Sequence, residues 1–103
     1  TAMGENLEEV IPAFAVEKKI FFIHFRDIRG NKYKFNETFH DNGQTDMAKM
    51  IKIYSNYNCN VPIRVDHVPT MAGEDNNTPG YATVGRLFAV GYLKGLIDGV
   101  KAH

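Results

Sequence analysis

The sequence predicts an α/β fold with parallel strands, and three observations carry that prediction. Segments of helical period alternate with short β-rich runs, in the order helix, strand, loop, helix, strand, loop, helix. The run Ile20-Phe21-Phe22-Ile23-His24-Phe25 is apolar on both faces, as a parallel strand covered by helices is. Both β-rich runs end abruptly in ionisable residues, and parallel α/β folds bind ligands at the carboxyl ends of their strands.

The elements follow in order. Leu7, Val10, Ile11 and Phe14 recur at helical spacing, which predicts a helix over 6–15. Asn6 can cap its N-terminus, with Glu9 completing a capping box. Pro12 removes an interior hydrogen bond, so a kink or short break is expected there. A strand follows over 19–25. Residues 26–45, with Gly30, Asn31, Asn36, Asp41, Asn42 and Gly43, show no sustained period and are expected to form a loop. Met47, Met50, Ile51 and Tyr54 predict a helix over 46–56, capped by Thr45 or Asp46. Residues 61–66 predict a second strand, and 68–79 a second loop. Residues 81–98 predict a long helix burying Val84, Leu87, Phe88, Gly91 and Leu96. Its glycines Gly85, Gly91 and Gly95 each cost about 1 kcal/mol of propensity against alanine, which suggests close packing. Two parallel strands alone would both be edges. The chain is therefore expected either to complete its sheet by oligomerising or to be a piece of a larger α/β protein, and the second is favoured.

Composition bounds the function. The 103 residues suffice for one small domain. Twelve Lys and Arg balance twelve Asp and Glu, which disfavours both a nucleic-acid surface and a polybasic membrane anchor. No apolar run is long enough for a transmembrane helix. No signal peptide is expected, because residues 1–20 are acidic and lack an apolar stretch. The single Cys59 lies away from both strand ends and from any zinc-ribbon spacing, and is read as inert.

His24 and Arg26 close the first strand; Arg64, Asp66 and His67 close the second. Alternation places Phe22 with His24 on one face and Arg64 with Asp66 on one face. If the strands are neighbours, a histidine and an aspartate converge, and that donor pair suits Mn²⁺, Fe²⁺ or Zn²⁺. Each residue also has a structural reading. His24 can be a hydrogen-bonded core histidine, Asp66 can cap a turn with His67, and Arg64 can pair with Asp66 or face an anionic substrate. His40 lies in a polar loop and would ordinarily be solvated. Tyr81 would ordinarily make a simple helix N-terminal contact.

The segments Ile63-Arg64-Val65-Asp66-His67-Val68-Pro69, Asn77-Thr78-Pro79-Gly80-Tyr81 and Gly85-Arg86-Leu87 resemble the C-terminal region of the D-mannonate dehydratase family. Phe22 to Asp27, Phe35 to His40 and Gly43 to Met47 resemble further family segments in the same order, so that the resemblance covers nearly the whole chain. It implies the C-terminal part of a (β/α)₈ TIM barrel, incomplete in this chain, with residues 1–103 a single partial domain. It implies a Mn²⁺- or Fe²⁺-dependent hydro-lyase that converts D-mannonate to 2-keto-3-deoxy-D-gluconate in hexuronate breakdown, in the cytoplasm. His24 and Asp66 match two metal ligands. His67 and Tyr81 match residues implicated in acid–base work. Arg64 matches a partner for the substrate carboxylate; His40 and Arg26 match further substrate-side positions. The family's other metal histidine and its metal cysteine have no counterpart here, and Asn36 stands where a histidine is frequent. The resemblance therefore implies the last part of the enzyme, following its metal cysteine, since such a barrel takes ~250 residues or more. Oligomerisation of the complete enzyme stays open. Two other readings stand beside this one: a metal-dependent sugar isomerase or epimerase, and a non-catalytic fragment or subunit that needs a partner to complete its sheet.

Overall fold

A computed structural model describes residues 3–102; Thr1, Ala2 and His103 lie outside the described residues. Helix α1 spans Leu7–Val16, strand β1 Ile23–Phe25, β2 Ile28–Asn31, β3 Lys34–Glu37, helix α2 Met47–Asn56, β4 Ile63–Val65 and α3 Thr83–Lys101. Strands β1 and β4 pair in parallel, with His24 opposite Arg64. Ile23, Phe25 and Val65 turn toward α2 and α3 and pack with Met47, Ile51, Val68, Ala89 and Leu93 into the core.

The two αβ units use one device twice. Asn6 caps α1 through its side chain, which accepts from the Glu8 amide, and Asp46 caps α2 by accepting from the Lys49 amide. At the other ends, Lys18 and Asn58 adopt the left-handed conformation, φ 56° and 54°. The Lys19 amide reaches back to the Phe14 carbonyl and the Cys59 amide to the Tyr54 carbonyl, closing two Schellman turns that aim the chain into β1 and β4. A lysine in that conformation costs about 1–2 kcal/mol. Lys18→Gly is expected to raise stability by about 0.5–1 kcal/mol after glycine's own entropy cost. The urea midpoint of the natural protein checks it.

Several expectations change. Helix α1 runs unbroken through Pro12, without the expected break, and it buries Ile11 and Ala15 while Phe14 is exposed. Leu7, Ile11 and Ala15 lie four apart on one row of the helix, with Leu7 half-buried. The first strand is shorter than 19–25 because pairing extends only as far as β4 does. It is covered on one face: Phe21 and Phe22 are exposed, and so is His24. The expected 26–45 loop contains an antiparallel hairpin, β2–β3. Its faces are almost wholly exposed, so no hydrophobic alternation betrays it. Asn31 builds its turn by accepting from the Tyr33 and Lys34 amides. Gly30, at φ 130°, lies so close to the opposing backbone that a side chain would collide with Phe35.

Helix α3 buries Gly85, Ala89 and Leu93, with Leu96 half-buried, instead of Val84, Leu87, Phe88 and Gly91. The small residues set the buried face, because Gly85 admits Val68 and the Pro69 carbonyl. Gly91 and Gly95 have nothing packed against them among the described residues, so the close-packing expectation holds for Gly85 alone. No helix among the described residues is long and apolar enough to cross a membrane.

Candidate active site

The carboxyl ends of β1 and β4 are adjacent, and their register sets the site. The Phe25 carbonyl accepts from the Asp66 amide at 2.9 Å, which fixes Asp66 one residue beyond β4. Asp66 is buried, and its Oδ2 lies 3.4 Å from His24 Nδ1. His24 is more than half exposed and packs edge-on against Phe22, so the expected convergence of a strand-end histidine with Asp66 is present. Their chemistry, one imidazole and one carboxylate, fits a divalent cation. They are a partial set: no group of three or more His, Cys, Asp or Glu among the described residues could hold a metal.

His67, next in the chain, joins a second branch. Its Nε2 lies 3.0 Å from the Tyr81 hydroxyl, and the two rings meet edge-on. Gly80, at φ 86°, packs its Cα under the His67 ring, where a side chain would crowd it. The Arg86 guanidinium lies over the Tyr81 ring at 5.7 Å. His67 Nδ1 faces the opposite way, 3.3 Å from Glu37 Oε1 and 3.2 Å from Arg26 Nη1.

The two cations sort by partner. Arg26 donates through Nη2 to Glu37 Oε1 at 2.9 Å and places Nη1 3.8 Å from Asp66 Oδ2. It is held by carboxylates of the chain. Arg64 is exposed beside His24 in the register and has no ion-pair partner among the described residues. The reading in which Arg64 pairs with Asp66 is therefore replaced: Arg26 takes that place, and Arg64 lies exposed.

His40 corrects the solvated-loop expectation, because it is fully buried. Its Nε2–H donates to the Phe25 carbonyl, the same oxygen that receives Asp66, and its ring packs on Phe25. Burial pushes its pKa below the ordinary 6.5, against the raising pull of the Phe25 carbonyl and of Asp27, Asp66 and Glu37. Folding thus opposes protonation of His40. Its contribution to stability is complete above pH 6.5 and is lost as pH falls through that value toward the lower folded one. Melts between pH 7.5 and 5.5 are expected to show declining stability, and His40→Gln should flatten that component.

Glu37 is the site residue that the sequence did not single out. It closes β3, which lies within the segment expected to be loop, and the turn-forming pair Gly30-Asn31 was the available signal. Cys59 precedes β4, at the amino end of the strand and away from these groups, lining a cavity with Tyr54, Val61 and Val100, and burial raises its thiol pKa.

A family model described as D-mannonate dehydratase (UxuA) matches residues 1–103. The chain is 32% identical over 83 residues to a mannonate dehydratase of Streptococcus equi subsp. zooepidemicus, covering 79% of the chain and 23% of that relative. It is 32% identical over 102 residues to mannonate dehydratase 2 of Halalkalibacterium halodurans, covering 96% of the chain and 29% of that relative. The crystal structure of mannonate dehydratase from Streptococcus suis serotype 2 superposes with a TM-score of 0.78 at 28% identity, over 88% of this chain and 27% of that one. The chain thus spans about a quarter of the length of the relatives it matches. Matched from first residue to last, it belongs to the D-mannonate dehydratase family.

Proposed function

We propose that the protein carrying this chain dehydrates D-mannonate to 2-keto-3-deoxy-D-gluconate, with these residues supplying part of the active site. The observation that carries the reading is the meeting of His24, Asp66, His67 and Tyr81 at two adjacent parallel strand ends, in a chain of this family. The α/β arrangement fits the closing part of a (β/α)₈ barrel. Helices α2 and α3 cover one face of β1–β4, and the other face, bearing His24 and Arg64, is where a barrel interior would lie. The whole enzyme is proposed to work in the cytoplasm, in hexuronate breakdown, without nucleic-acid or membrane partners.

His24 and Asp66 would hold a divalent ion, Mn²⁺ or Fe²⁺, together with donors from outside these residues. Bound there, the ion would act as Lewis acid on the substrate's oxygens. The chain's own groups do the rest. Dehydration removes the proton beside the carboxylate and expels hydroxide from the next carbon, leaving an enol that becomes the ketone. The C–H is weakly acidic and hydroxide leaves poorly, so a base and an acid are both required. Tyr81 and His67 share those roles across their 3.0 Å hydrogen bond. Arg64, exposed and unpaired with any carboxylate among the described residues, would take the substrate carboxylate. Arg26 and His40 would act behind the substrate: Arg26 clamps Glu37 and Asp66, and His40 fixes the end of β1.

The test is an assay of the natural full-length protein with Mn²⁺ and D-mannonate, following the keto-deoxy product. Product formation supports the reading. Interconversion of sugar acids without loss of water would replace it with the isomerase reading.

A further inference from the structure

His67 can carry its proton on either ring nitrogen, and the choice decides what Tyr81 meets. Nε2 faces the Tyr81 hydroxyl at 3.0 Å, with Asp66 Oδ1 at 3.8 Å. Nδ1 faces inward, between a group that only accepts, the Glu37 carboxylate at 3.3 Å, and one that only donates, Arg26 Nη1 at 3.2 Å. If Nδ1 is bare, Arg26 donates to it, and Nε2 must carry the proton. If Nδ1 carries the proton, Glu37 takes it, and Nε2 turns a lone pair toward the phenol and the open face.

We propose that Glu37 is a positioning residue that holds the proton of His67 on Nδ1, so that Nε2 is free to accept from the Tyr81 hydroxyl and to serve as the base. Two features of the wiring favour this state. Arg26 fastens Glu37 Oε1 in place through Nη2 at 2.9 Å, and its Nη1 charge is also within ion-pair range of Asp66 Oδ2, 3.8 Å away. Glu37 Oε2 is buried without a partner among the described residues, so the carboxylate has acceptor capacity to spare. The arrangement follows the logic by which a carboxylate behind an imidazole selects its tautomer and ring orientation. It also assigns the roles at the front of the site: His67 is the base, and Tyr81 is the group through which a proton passes to or from Nε2. The inference rests on the proposed dehydratase reading for its catalytic consequence, but not for the tautomer itself.

The test uses the natural full-length protein labelled with ¹⁵N-histidine, with paramagnetic ions exchanged for Zn²⁺. Its imidazole ¹⁵N–¹H spectrum reads the tautomer directly, and the His67→Gln variant identifies the signal. The expected spectrum shows His67 protonated at Nδ1 and bare at Nε2. Glu37→Leu, which has no acceptor, should reverse that order and lower kcat by about a hundredfold with KM nearly unchanged. Glu37→Gln keeps a carbonyl acceptor in the same place, and it should retain the native tautomer and recover most of the lost rate. A native His67 protonated at Nε2 overturns the proposal. So does a Glu37→Leu spectrum unchanged from the native one, or a Glu37→Gln variant as impaired as Glu37→Leu. Absence of dehydratase activity alongside the expected spectra would strike the proposed reaction and leave the tautomer assignment standing.

Discussion

Asp66→Ala is expected to abolish stoichiometric divalent-metal binding by the natural full-length protein, and dehydratase turnover with it. His24→Ala should do the same. Asp66 is only 6% exposed and supplies the one carboxylate among the described residues that meets the His24 ring, so no other described acid is placed to substitute for it. Loss of an outer partner of a metal ligand already weakens affinity tenfold to about a hundredfold, and loss of a ligand should exceed that. Folding is a separate matter, and the two variants separate it. His24 lies on the uncovered face, so its removal costs little packing. Asp66→Asn keeps the volume and most hydrogen bonding of the buried side chain while it removes the charge. Metal content by mass spectrometry and the circular dichroism spectrum would be measured together. One equivalent of Mn²⁺ retained by folded His24→Ala and Asp66→Ala proteins would end the assignment of both residues as ligands.

The elements legible in the sequence are those in which one physical pattern dominates. Met47, Met50 and Ile51 form a buried helical row with an aspartate at the N-cap, and α2 lies where that pattern puts it. The pairing of the two strands was legible as a condition, and the parallel register meets it by bringing His24 and Asp66 within 3.4 Å. The helical faces of α1 and α3 were read in part: Ile11 is buried and Leu7, Val10 and Leu96 are half-buried as expected, whereas Ala15, Gly85 and Ala89 take the buried places expected of Phe14, Val84 and Phe88, for a shared reason. Hydropathy ranks Phe14, Leu87 and Phe88 above alanine and glycine, whereas close approach of two elements is governed by what is absent from the contact. Gly85 lies at such a contact, against Val68 and the Pro69 carbonyl, and the small Ala89 and Ala15 are buried on the same helical faces. Phe21 and Leu87 are apolar and largely exposed, and Phe22 and Phe88 are only part-covered, by His24 and by Phe39 and Tyr92.

The hairpin was illegible because hydrophobic alternation records burial, and β2–β3 buries almost nothing but Ile28. Backbone and polar contacts hold it instead. That is also why Glu37 escaped notice: its position follows from the hairpin register, in which it faces Ile28, and from Arg26. Arg26 and Arg64 posed a different difficulty. Each follows a strand-end histidine or precedes an aspartate, and sequence cannot tell a cation already neutralised by its own chain from one left for a ligand. The 2.9 Å contact of Arg26 with Glu37 shows that Arg26 is neutralised by its own chain.

Gly43→Ala should cost about 3 kcal/mol of stability and also depress activity, although Gly43 touches none of the reacting groups. Asp27 explains both effects. Its carboxylate is fully buried and accepts from the Ile28 amide at 2.8 Å and the Thr45 amide at 3.0 Å, tying the start of the hairpin to the segment that leads into α2. That segment runs along β2: the Gln44 amide bonds the Ile28 carbonyl, the Gly30 amide bonds the Gln44 side chain, and Arg29 bonds the Asn42 carbonyl. Gly43 lies against the carboxylate, and a methyl there would overlap Asp27 and the Thr38 hydroxyl. To make room, Asp27 must leave its two amides, and each buried amide left unpaired costs roughly 1–3 kcal/mol. The hairpin then shifts, and Glu37, opposite Ile28 in its register, moves away from His67. A double-mutant cycle isolates the cause. In an Asp27→Ala background the methyl has space, so Gly43→Ala should add less than about 1 kcal/mol there. Full additivity of the two costs in urea denaturation, or a Gly43→Ala protein as stable as the native one, would show that Asp27 and Gly43 do not act as one joint beneath Glu37.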